Sequence, residues 1–136
     1  MARRDQIIRV NRELEERFNL SIAVRSNGTL YLSGLTAIDE GMLVVGRGDM
    51  EAQVRQVYLR LEHALAACGC SLLDVVSETA YTTDIEWLGR AAHVRDGFYR
   101  RAGAAPPAVT AVEVRRLFFP EAMVELTAVA ELPRGA

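Results

Sequence analysis

From Met123 to Leu132 the chain alternates with a period of two: Val124, Leu126, Ala128, Ala130 and Leu132 fall on one parity, Met123, Glu125, Thr127, Val129 and Glu131 on the other. Successive side chains of a strand point to opposite faces, so this strand has one wholly apolar face and one mixed face. The apolar face requires a cover of helices. The mixed face, with Met123 and Val129 beside Glu125, has the make-up of a subunit interface or a cleft. Upstream, Thr110, Val112 and Val114 alternate with Val109, Ala111 and Glu113, which makes a second β-branched strand.

The remaining elements follow from local signals. Ile7, Ile8 and Val10 suggest a short strand, and Asn11 is placed to cap a turn of helix through Leu14 and Phe18. Ala23-Val24-Arg25 and Thr29 to Ser33 flank Asn27-Gly28, a pair that tolerates the positive φ angles of a type I′ hairpin turn. Met42 to Val45 reads as a further short strand. Asp49 caps a helix to about Cys68, because Val54, Val57, Tyr58, Leu61, Leu65 and Cys68 recur at three-and-four spacing, and Gly69 stops it. Val75 to Thr83 reads as a strand. Asp84 then caps a second long helix with Trp87, Ala91, Val94 and Phe98 on one face, ended by Gly103 and the Pro106-Pro107 pair.

Helices interleaved with strands of one sheet predict an α+β fold: a two-layer sandwich of a mixed β-sheet with two long helices on one face. The other sheet face then lacks a cover within one chain, which predicts oligomerisation. The 136 residues suffice for a single domain spanning 1–136, and no Pro/Gly/Ser-rich linker divides them.

With half its residues hydrophobic, a quarter charged and a net charge of −2, the chain offers no electrostatic reason for a nucleic-acid or membrane partner. The Arg3-Arg4, Arg100-Arg101 and Arg115-Arg116 pairs are too short to alter that. No segment approaches the roughly 18 apolar residues of a membrane span. Met1 to Asp5 is not followed by the apolar core of a signal peptide, so the expected location is cytoplasmic. Cys68 and Cys70 lack the partners of a zinc site and read as structural thiols; no metal and no cofactor is expected. His63 and His93 sit on polar helix sides without a catalytic constellation, and Trp87 and Tyr99 read as core or interface residues.

Taken in order, Ala23-Val24-Arg25, Leu30 to Gly34, Gln53 to Val57, Leu73 to Val76, Tyr81 to Asp84, Pro107-Ala108, Val112-Glu113-Val114 and Val124-Glu125 resemble the reactive-intermediate deaminase family, also called YjgF-type or endoribonuclease L-PSP-like. The match runs from about Ser21 to Leu132. It implies a chorismate-mutase-like fold, a homotrimer with its sheets around a central barrel, and a small-molecule ligand in each inter-subunit cleft. It also implies a hydrolase that deaminates reactive enamines and imines as metabolite detoxification.

Such chemistry asks only for a bound substrate, one placed water and a path for protons. By the resemblance, Glu125 is the catalytic acid beside that water. Ser33 and Gly34 line the cleft at a strand end, where a hydroxyl and a backbone N–H can hold substrate. Tyr81 and Thr110 are carried as further substrate-binding candidates.

Active deaminases of this family bear an arginine directly after the Pro-Ala step, clamping the substrate carboxylate, and here that position is Val109. Losing such a contact costs about 2–5 kcal/mol. Arg115 has the same parity but lies roughly 20 Å further along an extended strand; Arg25 or an arginine of a neighbouring subunit stays open as a substitute. Leu20 and Ala92 also stand where the family has an aromatic residue and an asparagine. The expectation is an enamine/imine deaminase with a substrate other than 2-aminoacrylate. The alternative is a non-catalytic, small-ligand-binding homotrimer, with an interaction or chaperone-like protein third.

Overall fold

The computed structural model describes residues 6–133; the Arg3-Arg4 pair lies outside the described residues. The chain runs β1 (Gln6–Ile8), α1 (Arg12–Phe18), β2 (Ala23–Ser26), β3 (Thr29–Leu32), β4 (Leu35–Thr36), α2 (Met50–Ala67), a 3₁₀ turn (Leu72–Asp74), β5 (Val75–Thr82), α3 (Ile85–Arg90), α4 (Ala92–Ala102), β6 (Ala108–Glu113) and β7 (Val124–Glu131). The strands form one mixed seven-stranded sheet in the order β1-β2-β3-β7-β5-β6, with β4 also pairing β7. Only β5 and β6 are parallel. The last strand among the described residues is therefore central in the sheet.

The local signals explain these elements. Asn27 and Gly28 adopt φ of 50° and 79°, the left-handed pair of a type I′ turn. The side chains of Asn11, Asp49 and Asp84 accept the backbone N–H groups of Leu14, Ala52 and Trp87 at 3.1, 3.1 and 3.0 Å, satisfying donors that a helix start leaves open. Gly69 and Gly103 take positive φ just past the ends of α2 and α4.

The predicted second helix is two. At Ala91, φ is −91° and ψ is 0°, and its N–H is shared among the carbonyls of Trp87, Leu88 and Gly89. That tightened turn separates α3 from α4 yet keeps Ala91, Val94 and Phe98 in the core, at 0, 6 and 3% exposure. The predicted strand at Met42 to Val45 is also absent. Asp39 Oδ1 accepts the N–H groups of Gly41 and Leu43, Met42 turns to φ of +65°, and only an isolated Ile38–Val44 bridge remains.

Val124, Leu126, Ala128 and Ala130 are buried against the helical layer with Val54, Val57, Leu61 and Leu65 of α2. Each fully buried leucine there contributes roughly 1.5–3 kcal/mol of transfer free energy. Gln53, itself fully buried, spans from α2 to the entry of β7: its Nε2 donates to Glu121 O at 3.0 Å and its Oε1 accepts Met123 N–H at 2.7 Å. Thr82 Oγ1 donates to Met123 O at 2.8 Å. These bonds fix where β7 begins and so where Glu125 stands. On the opposite sheet face, Tyr31 is 51% exposed and Val112 37%. No element among the described residues covers that face.

Candidate active site

Glu125 is opposite Thr36 of β4 and Tyr81 of β5 in register. Directly paired residues share a face, so Glu125, Tyr81 and Val112, the partner of Tyr81 on β6, form one row across the uncovered face. Thr127, Thr79 and Thr110 form the next row.

A cavity of about 330 Å³ opens beside Glu125, lined by Ser33, Gly34 and Thr36, by Leu20 and Phe118, and by Arg60 from α2. Gly34 is needed there for space and not for a special φ. A Cβ at that position would overlap Glu125 Oε2 and stand 2.9 Å from its Cδ. Glu125 is partly buried, and burial pushes its carboxyl above the ordinary carboxylate range. Among the described residues it has no hydrogen-bond or ion-pair partner. A carboxyl that holds its proton more readily, in a cavity and free of partners, is suited to taking and returning protons.

The other sequence-derived candidates separate into groups. Ser33 lines the same cavity, but its hydroxyl donates to Ser21 O at 2.7 Å and its N–H to Ile22 O at 2.8 Å, so both of its donors are already used. Tyr81 and Thr110 lie on the same sheet face as Glu125 without lining that cavity.

Val109 is elsewhere. It pairs with Glu78, on the helix-facing parity of β5, and lines a second cavity of about 360 Å³ between the sheet edge and α3–α4. Ala92 lines that cavity too. Val109 and Ala92, at two positions where the resemblance leads one to expect a polar group, therefore share one largely apolar space, distinct within the chain from the Glu125 cavity. Leu20, the third such position, lines the Glu125 cavity. Arg25 lines neither cavity.

The floor of the second cavity holds a cluster that the sequence reading did not single out. Glu78, 2% exposed, accepts the Tyr58 hydroxyl at 2.7 Å, the Tyr99 hydroxyl, and Arg95 Nε at 3.1 Å. Burial raises the Tyr58 and Tyr99 hydroxyls far above their ordinary pKa, and the carboxylate beside them adds to the effect. Burial opposes the charge on Arg95, but Glu78 and Tyr58 together outweigh it and hold the guanidinium's pKa up. The available signal was an acid on the core-facing parity of β5, since such a residue demands donors.

Tyr99 is thus a core residue, as read from the sequence, with its hydroxyl committed. His93 bridges α4 to α2 at the surface, with Nε2 2.7 Å from Glu51 Oε1, and His63 is exposed. Burial raises the Cys68 thiol to about 11, with Cys70 adding to it, which fits an inert structural thiol. Among the described residues, no group of three or more His, Cys, Asp or Glu side chains is placed to hold a metal ion, and no helix is long and apolar enough to cross a membrane.

Comparison with known proteins then decides the family. The family model described as Endoribonuclease L-PSP matches residues 11–132. The chain belongs to this family. A RutC family protein of Synechocystis is 33% identical over 112 residues, covering 82% of this chain and 84% of the relative. The 3-aminoacrylate deaminase RutC of Acinetobacter baylyi is 31% identical over 110 residues, 81% of this chain and 84% of that protein. Among solved structures, a Rid-family protein of Yersinia pestis superposes with a TM-score of 0.76 at 29% identity, covering 82% of this chain and 86% of the other. A YjgF-family member from Mycobacterium tuberculosis gives 0.76 at 28% identity over 93% of this chain and 98% of the other. The Rid/YjgF-type resemblance and the α+β fold read from the sequence are both borne out.

Proposed function

We propose that this member of the endoribonuclease L-PSP family hydrolyses a reactive enamine or imine, other than 2-aminoacrylate, to a carbonyl compound and ammonia. The observation that carries the reading is the Glu125 carboxyl: unpaired, shifted upward by burial, and pressed against Gly34 at the wall of a cavity. Its relationship to a deaminase of 3-aminoacrylate supports the reaction class.

An enamine first tautomerises to the imine. Water, held by Glu125, then forms a C–O bond to the imine carbon as C=N becomes C–N, and Glu125 takes the water's proton. The proton returns to nitrogen. The C–N bond breaks as C=O forms, and ammonia leaves with the hydroxyl proton. Nothing is oxidised or reduced, and one carboxyl suffices to shuttle the protons.

The active assembly is a homotrimer joined through the uncovered sheet face, with the cleft between neighbours. In that assembly the apolar cavity containing Val109 and Ala92 contributes a hydrophobic wall instead of a carboxylate clamp, which favours a bulkier substrate. The test is ammonia release from a panel of imines made in place by amino-acid oxidases. We expect turnover above the buffer rate for imines with apolar side chains, little for 2-aminoacrylate, and loss of activity in Glu125→Gln; equal rates in wild type and variant overturn the reading.

A second reading, a ligand-binding homotrimer without turnover, draws on Ser33, whose donors are both used within the protein, and on Val109. It predicts tight binding of a ligand with no ammonia release.

A further inference from the structure

The Glu125 cavity holds a cation that neither the charge pattern nor the family resemblance singled out. Arg60 stands on α2 with a stem that reaches the cavity wall. Its Nη1 donates to Thr36 O at 2.8 Å, and Thr36 is the register partner of Glu125. This bond anchors the guanidinium beside β4 and leaves the remaining N–H groups unassigned. Arg60 makes no ion pair among the described residues, although Asp39 and Glu40 border the adjoining cavity that it also lines. Unlike Arg60 Nη1, Arg95 Nη2 of the other cavity is sealed in protein without a partner, and Arg95 is already matched by Glu78 at 3.1 Å.

A partly buried cation without an anion is unusual, because desolvation must be repaid by a counter-charge or by hydrogen bonds. Desolvation alone lowers the Arg60 pKa and desolvation alone raises that of Glu125, so the two do not act as each other's partner. They flank the same space of about 330 Å³. The same cavity has an apolar part: Leu20 and an aromatic group in which Phe18 meets Phe118 edge-on at 5.4 Å.

We propose that Arg60 binds the carboxylate of the substrate, and that the substrate is a 2-imino acid with an apolar side chain. This deepens the imine-hydrolase reading and rests on it for the identity of the reacting group. The guanidinium supplies the planar, paired donors that a carboxylate matches. Leu20 and the phenylalanines accept the side chain, and the imine carbon lies toward Glu125. The three-carbon 2-aminoacrylate would leave the apolar wall uncovered, so Arg60 and Val109 point to the same departure in specificity: the anion site has moved from β6 to α2.

The test uses 4-methyl-2-oxopentanoate and its neutral amide as probes of the intact protein by titration calorimetry. Wild type should prefer the carboxylate by roughly tenfold or more. Arg60→Gln, which is polar but uncharged and too short to replace Nη1, should erase that preference, and Arg60→Lys should keep part of it. Loss of a structural role alone would weaken both probes equally. No preference in wild type, or an unchanged preference in Arg60→Gln, overturns the assignment. In parallel, the imine of leucine is assayed for ammonia release. Arg60-dependent binding without hydrolysis keeps the anion site and removes the deaminase reading. Glu125-dependent hydrolysis with an unchanged KM in Arg60→Gln does the reverse.

Discussion

Gly34→Ala separates the position of Glu125 from the stability of the fold. The new Cβ would overlap Oε2 and lie 2.9 Å from Cδ, whereas carbon atoms rest comfortably about 3.5–4.0 Å apart. The carboxyl must therefore retreat by about 1 Å. The atoms in the way are the far end of a flexible side chain, and Gly34 has no positive φ to strain. The structural cost is thus that of an off-rotamer glutamate, about 0.5–1.5 kcal/mol. It is partly offset by the roughly 0.4–1 kcal/mol gained from restricting the unfolded chain. The melting temperature should stay within a few degrees of wild type, since 1 kcal/mol moves a domain of this size by about 4 °C. Catalysis is less forgiving: a misplacement of about 1 Å typically costs roughly 10²-fold. The assay is kcat/KM for ammonia release, with ¹³C-carboxyl NMR titration of Glu125 as a readout that does not depend on turnover. A variant with wild-type kcat/KM and an unchanged Glu125 titration would falsify the claim that Gly34 sets the carboxyl's position.

Three further outcomes are expected. Glu125→Gln should raise the melting temperature at pH 7–8: a carboxyl whose folded pKa is raised favours the folded state below its unfolded pKa, and that advantage disappears as pH rises through the folded value. The difference should shrink toward pH 4, and calorimetric scans showing it constant with pH would contradict the burial argument. Tyr99→Phe should cost about 1–3 kcal/mol in urea unfolding by removing a donor from Glu78, and Arg95→Met about 3–5 kcal/mol by leaving that buried carboxylate without its cation; a change below 0.5 kcal/mol (roughly the size of a neutral surface substitution) in both would show that Glu78 has other compensation. Val109→Arg should raise kcat/KM on 2-aminoacrylate by at least roughly tenfold, provided that the cleft is built from two protomers; light scattering of both proteins, expected at three chains per particle, checks that condition.

What was legible in the chain was whatever is encoded within a few residues. Asn27-Gly28 announces its turn, the Val54-to-Leu65 stripe its helix, and the Val124-to-Ala130 alternation both the buried face and the uncovered one. The break at Ala91 was hidden because it preserves the apolar spacing that defined the helix. The Met42 turn was hidden because Asp39 redirects a segment whose composition is strand-like. The Glu78 cluster joins residues from α2, β5 and α4, and no local pattern reports a meeting of three elements. In the sequence Arg60 is one more charge on a helix; only the approach of Thr36 makes it part of a cavity wall. The separation of Val109 from Glu125 required the pairing of β6 with β5 and of β5 with β7.

The central place of β7 bears on how the protein is made. Thr29 pairs with Glu131, 102 positions later, and Leu132 N–H donates to Gly28 O at 2.8 Å, so the first hairpin is joined to the sheet only by a strand made long after it. Until then the nascent chain holds two sheet fragments, β1-β2-β3 and β5-β6, each with a raw inner edge where β7 will insert. Commitment to the native state must therefore wait until β7 has been made. Slow elongation ahead of β7 would prolong a sticky intermediate instead of helping it fold. A message truncated just before Met123 would yield the two half-sheets without the strand that welds them.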